Sequence, residues 1–354
     1  MTISLSHPEV VGILTACAVA FGVSALLAAP TLKILVALKS RQTVSQHLPG
    51  HQAKSGTPTM GGLIVVAGLT AAVFATPALD RSLLVLILGF AAIGLLDDYV
   101  VPKVMPGKRG LGWKEKLLLQ FAVAGTWIWL AGVLSAGFWV WLSVGVFVLF
   151  WANAFNFSDG LDNLAAGLAT WIALGIAGCA FAVGVPALSL AVLALAAAMV
   201  PFSFLNAPPA KVFMGDVGSL PTGAVLGASI VALVVIDPHP LVWVAAGALS
   251  LIMAVELIPV PLQILSVKLR KKRLFPKTPI HHALEDAGWP ETRIVSGFVL
   301  TQVVLSAVAI GAVAFSVSQR APTPAERLRS AGVQACMTER SPTGAPGAWG
   351  RGGV

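Results

Sequence analysis

Two adjacent carboxylates, Asp97 and Asp98, end an apolar run in LLDDYVV, residues 95–101. Carboxylates at the lip of an apolar helix are costly to desolvate, so they need a reason to be there. A hard cation or a phosphate supplies one, because Mg²⁺ takes carboxylate oxygens and fills its other positions with water and substrate phosphate. An isolated Asp–Asp pair also reads as a solvated helix end. In NAFNFSDGLDNLAAG (153–167), Asn153, Asn156, Asp159 and Asp162 recur at intervals of three. That spacing keeps neighbours near one helical face, although Asp159-Gly160 can break the helix. Capping the following helix would need only one such residue. In NAPPAKVFMGDVGSL (206–220), Gly215 and Gly218 let backbone approach a ligand closely, and Asp216 between them suits a metal. Ser219 can cap the next helix, whose N-terminus favours phosphate. No GxxxxGK[ST] is present, so this is not a P-loop. Adjacent His281 and His282 in KTPIHHALEDAGWPETR (277–293) lack the i,i+4 spacing of a zinc helix.

The elements that must position these groups are apolar. Of 354 residues, 57% are hydrophobic and only 11% charged. Soluble domains carry about 25% charged residues. The chain therefore has lipid as its main solvent, and its apolar runs predict an all-α integral membrane protein. Ten segments are expected near 9–37, 60–77, 83–99, 114–134, 137–155, 163–184, 187–205, 219–236, 241–266 and 294–317. The odd gaps between them gather Lys and Arg, including Lys54, Lys116, Lys211 and the run Lys268–Arg273, whereas the even gaps hold only Arg81. By the positive-inside rule the odd gaps face the cytoplasm and both termini lie outside. The candidate groups all fall on that cytoplasmic side, along with Lys54, Thr59, Lys116, Asn206 and Phe213. The basic run can also attract anionic lipid head groups.

Residues 1–319 read as one membrane domain without internal repeats. The Pro-, Gly- and Ala-rich stretch 320–354 reads as a disordered tail. Cys17, Cys179 and Cys336 stand too far apart in sequence to suggest a disulfide framework or zinc site. The apolar run from about residue 10 has no basic stretch before it and reads as a retained span rather than a cleaved signal. No nucleic-acid partner is expected.

Taken in order, KSGTPTMGG (54–62), DDY (97–99), the KxxxQ of Lys116 and Gln120, NFSDGLDNLA (156–165), PAKVFMGDVGSL (209–220), PIHH (279–282) and GWPE (288–291) resemble the polyprenyl-phosphate N-acetylhexosamine-1-phosphate transferases. GTPTMGG and PIHH favour the members that handle an N-acetylmuramoyl-pentapeptide over those that transfer N-acetylglucosamine phosphate. The resemblance implies ten spans in a bacterial plasma membrane, a homodimer, Mg²⁺ as cofactor, and UDP-N-acetylmuramoyl-pentapeptide and undecaprenyl phosphate as substrates. It implies catalytic roles for Asp97, Asp98, Asp216, His281 and His282, with Asp216 at the metal, and Asp98 is expected to share that ion. Substrate contacts fall on Lys54, Thr59, Lys116, Asn153, Asn156, Asp159, Asp162, Asn206 and Phe213. The family's third histidine is replaced by Ala283, and NFSDGLDN departs from the commoner NLTDGLDG.

The implied reaction is phosphoryl transfer, which needs positioning and charge neutralisation more than a strong base. Membrane carboxylates also mark ion paths in transporters. Against that reading, the polar groups gather at one face and no repeat is visible.

Overall fold

The computed structural model describes residues 5–38, 56–105, 107–108, 110–132 and 137–320. Lys54 and the tail beyond Arg320 lie outside the described residues. The chain is all-helical: α1 (His7–Ala37), α2 (Leu63–Ala75), α3 (Leu83–Leu95), α4 (Val101–Val104), α5 (Trp113–Leu130), α6 (Phe138–Ser158), α7 (Leu164–Ala182), α8 (Ser189–Asn206), α9 (Asp216–Ile236), α10 (Pro240–Leu257), α11 (Pro259–Arg270), α12 (Ile280–Asp286) and α13 (Glu291–Gln319). A π-helical turn, Leu96–Val100, joins α3 to α4.

Each of the ten expected segments coincides with a helix, α10 and α11 together making up the ninth. Among the described residues, eight helices are long and apolar enough to cross a membrane. The chain is therefore an integral membrane protein. Two elements fall short of that measure. At 13 residues, α2 is about 20 Å long against a hydrocarbon core of about 30 Å. The 18-residue α5 opens on Lys114, Glu115 and Lys116.

The outer surface is apolar, as a lipid-facing surface must be. Leu26, Trp139 and Phe204 are each more than three-quarters exposed. The interior is built around α9, which is buried along most of its length and packs on α3, α6 and α7. Lipid tails are as apolar as Leu, so the hydrophobic effect does not drive such helices together; close van der Waals packing of small residues does. Gly223 and Gly227 of α9 sit against Trp151 and Ala152 of α6. Gly62 meets Gly218, and Gly94 of α3 lies on the backbone of Asp216 and Val217. These last two approaches draw the ends of α2, α3 and α9 together.

At the opposite end of α9, Arg320 Nη1 donates to Asp237 Oδ1 at 2.9 Å, so the end of α13 and the α9–α10 connection share one side.

A Cβ at position 94 would overlap the Asp216 backbone. Gly94→Ala is therefore expected to destabilise the protein by about 1–3 kcal/mol. Gly247→Ala, whose Cβ would meet nothing, should be neutral or slightly stabilising, since Ala exceeds Gly in helix preference by about 1 kcal/mol. Thermal unfolding of both variants in detergent checks the contrast.

Candidate active site

The site forms where α3 stops and α9 starts. The π turn widens the helix for one turn and carries Asp97 and Asp98 at its head. Asp97 Oδ1 accepts the Leu111 N–H at 2.6 Å, and its Oδ2 lies 3.1 Å from Lys116 Nζ. Asp98 Oδ2 faces the Val217 N–H at 3.4 Å, in the first turn of α9. Asp216 is the first residue of α9, after Gly215 at φ 71°. That conformation is open mainly to glycine. A Cβ there would also run into Asp98 Oδ2 and Thr59 Oγ1, so Gly215 has Asp98 and the buried Thr59 close beside it. Ser219, expected as a cap, instead lies inside the first turn of α9, and its Oγ accepts from Asn156 Nδ2 at 2.9 Å.

Asp97, Asp98 and Asp216 each offer a carboxylate oxygen, all within 4.8 Å of one another. Lys116 reaches up from the first turn of α5, and its ammonium bridges Asp97 and Asp216. Asn156 Nδ2 donates to Asp216 Oδ1 at 2.6 Å. Asp159 follows directly after α6, close enough to this centre to feel its charge. Burial first, and then the Asp216 and Asp98 carboxylates, push its carboxyl well above the usual range. Three acids thus cluster beside one ammonium, and the excess negative charge calls for a cation. The donor set is all hard oxygen, which suits Mg²⁺, Ca²⁺ or Mn²⁺ better than zinc. The residues present fit a divalent ion of that class.

Other expected site residues act one layer back. Asn153 and Gln120 exchange amide hydrogen bonds, Asn153 Nδ2 to Gln120 Oε1 at 2.7 Å and Gln120 Nε2 to Asn153 Oδ1 at 3.3 Å. They lock α5 to α6 one turn beyond Lys116. Asn206, buried, accepts the Asn163 N–H at 2.8 Å and donates to the Val212 carbonyl at 2.9 Å. Asp162, also buried, accepts the Ala210 N–H at 3.0 Å, and its own N–H donates to Glu291 Oε1 at 2.6 Å. Asn206 and Asp162 therefore brace the α6–α7 and α8–α9 connections and the start of α13. Phe213 is half-buried, and its backbone pairs with the stretch before α2: Phe213 N–H to the Pro58 carbonyl at 2.9 Å, and Gly61 N–H to the Phe213 carbonyl at 2.8 Å. These bonds bring TPTMGG alongside FMGDVG.

The histidines separate. His282 Nδ1 lies 2.6 Å from Glu285 Oε2, both partly exposed. His281 is fully buried, with Nδ1 2.6 Å from the equally buried Glu256 Oε2. Its Nε2 has no hydrogen-bond partner, and a Cβ on Gly160 would fall on it. Glu256 was not among the expected residues. A lone carboxylate inside an otherwise apolar segment, visible in SLIMAVELIPV (250–260), was the available signal.

Residues 81–234 match the model of glycosyl transferase family 4, and residues 54–66 match phospho-N-acetylmuramoyl-pentapeptide-transferase signature 1. The chain is 35% identical over 303 residues to the phospho-N-acetylmuramoyl-pentapeptide-transferase of Moorella thermoacetica, covering 80% of this chain and 93% of the relative. The protein of the same name from Heliobacterium modesticaldum is 36% identical over 302 residues, 79% of this chain and 91% of its own length. That from Desulforamulus reducens is 34% identical over 322 residues, 83% and 94% of the two lengths. Identity of this size over nearly the whole of each relative shows that the chain belongs to the phospho-N-acetylmuramoyl-pentapeptide-transferase family.

Proposed function

We propose that this protein moves phospho-N-acetylmuramoyl-pentapeptide from UDP to undecaprenyl phosphate, releasing UMP, with Mg²⁺, at the cytoplasmic face of a bacterial plasma membrane. The observation that carries the reading is the carboxylate cluster. Asp97 and Asp98 from the end of α3 meet Asp216 from the start of α9 beside Lys116, at the ends of helices long and apolar enough to cross a membrane. Such a place can be reached from water by a nucleotide and from the bilayer by a lipid phosphate. Helical structure at each of the ten expected segments, with eight spans long and apolar enough to cross a membrane, supports ten crossings, and the odd gaps carrying the basic residues support a cytoplasmic site.

In the proposed reaction an oxygen of the lipid phosphate attacks the β-phosphorus of the UDP-sugar. A P–O bond forms to the lipid, the P–O bond to the α-phosphate breaks, and its electron pair leaves with UMP. A phosphate monoester has its second pKa near ~6, so the nucleophile is largely dianionic at cytoplasmic pH and needs no strong base. Asp98 and Asp216 would hold Mg²⁺, whose charge would offset that building on the phosphates. Asp97, fixed by Leu111 and Lys116, orients the acceptor phosphate. Asn156 holds the Asp216 carboxylate in register. Lys54, Thr59 and Phe213 are proposed to contact the nucleotide-sugar. Asn153, Asp162 and Asn206 serve that binding by bracing the walls of the site, and Asp159 lines it.

Purified protein in lipid vesicles containing undecaprenyl phosphate is expected to release UMP from UDP-N-acetylmuramoyl-pentapeptide and not from UDP-N-acetylglucosamine. Release from the second donor alone would replace this reading with that of a sister transferase. Asp216→Asn keeps the shape of the side chain and removes its charge. Its turnover should fall by about 10²–10³-fold, the usual scale for losing one electrostatic stabiliser. Turnover within a few-fold of wild type would contradict the assigned metal role.

A further inference from the structure

The buried Glu256–His281 pair lies outside the carboxylate cluster yet reaches it through one turn of backbone. Both side chains are fully buried, Glu256 in the last turn of α10 and His281 in the short α12. Glu256 Oε2 is 2.6 Å from His281 Nδ1, and Oε1 accepts the His281 backbone N–H at 3.3 Å. One carboxylate therefore fixes both the ring and the chain that carries it. A buried carboxylate inside an apolar helix bundle is expensive unless it is used.

The far side of the ring shows the use. Nε2 has no hydrogen-bond partner, and its neighbour is Gly160, where even a methyl group would collide with it. Gly160 follows Asp159, whose carboxyl is close enough to Asp216 and Asp98 to be raised by their charges. A carboxylate only accepts hydrogen bonds, so in the neutral ring Nδ1 carries the proton and Nε2 is left with a lone pair. A proton on Nε2 would point at Gly160 with no acceptor, and burying such a donor is costly. Carboxylate, tautomer and turn are thus consistent with one another.

We propose that Glu256 is a positioning residue: it locks the pose and tautomer of His281, and the ring buttresses the Asp159–Gly160 turn that lines the site. In this role Glu256 and His281 act through the turn rather than on the reacting atoms. The proposal deepens the transferase reading and rests on it for its kinetic consequence.

Glu256→Gln tests it with little change of shape. A glutamine offers one oxygen and one NH₂, so it cannot accept both bonds. With its oxygen on the His281 N–H, its NH₂ meets Nδ1 and drives the proton to Nε2. In the full-length protein kcat should fall about 10–100-fold, the range seen when a group orienting a functional histidine is lost, with KM for both substrates unchanged. In [¹⁵N]histidine-labelled protein, with His281→Ala to assign the signal, Nε2 should change from an unprotonated to a protonated shift. Wild-type kcat or an unmoved Nε2 signal overturns the proposal. Gly160→Ala gives a second arm that leaves the buried charge in place. It should also lower kcat, and a wild-type value would remove the buttress. The nitrogen signal is read without substrate. A chain that released no UMP at all would defeat the transferase reading while leaving the tautomer to be decided by the spectrum.

Discussion

Like charges held close together in a poorly hydrated place repel strongly, and the rest of this structure exists to hold them there. Asp97, Asp98 and Asp216 converge from two separate connections onto one point, and Asp159 at the end of a third is close enough to feel their charge. Each would be better solvated apart. They stay together because their backbones are fixed elsewhere: Gly94 seated on Asp216, Gly62 on Gly218, and the pairing of Phe213 with Pro58 and Gly61. Packing of small residues, which lipid neither rewards nor opposes, supplies the rigidity. Lys116 offsets part of the charge. The remainder is an electrostatic demand for a divalent ion and for phosphates that approach with it. The cost of assembling the acids before substrate arrives is what makes the site preorganised.

Around this centre the polar residues divide by layer. Asn156 and Lys116 touch the acids. Asn153 with Gln120, and Asn206 and Asp162 with the connecting loops, touch only the protein. A buried side-chain amide that satisfies two backbone groups at once makes a rigid wall, and a rigid wall is what positions a long, flexible nucleotide-sugar. Glu256 and His281 extend the same logic one step further from the chemistry.

Much of this was legible in the sequence, and the reason is the solvent. In a bilayer every backbone group must be satisfied within its own helix, so apolar runs translate directly into helices. Polar residues stand out for the same reason, and the DD pair, Asp216 and Asn156 come together in one cluster. Side-chain partners across helices were not legible. KxxxQ placed Lys116 and Gln120 on one helix but carried no sign that Gln120 would pair with Asn153. The interval of three through Asn153, Asn156, Asp159 and Asp162 suggested one shared face. Instead α6 ends at Ser158, which turns Asp162 away to brace Ala210. The π turn at Leu96–Val100 and the short α12 depend on packing that no local pattern encodes. Glu256 was visible as a lone acid, yet its partner lies 25 residues on.

The central claim is that one divalent ion is held by these carboxylates. Electron paramagnetic resonance of Mn²⁺ titrated into the purified protein tests it directly, without requiring turnover. The wild-type chain should take up one ion per protein, displaced by Mg²⁺, and both Asp98→Asn and Asp216→Asn should abolish that uptake. Stoichiometric binding that survives both substitutions would place the ion elsewhere and contradict the account.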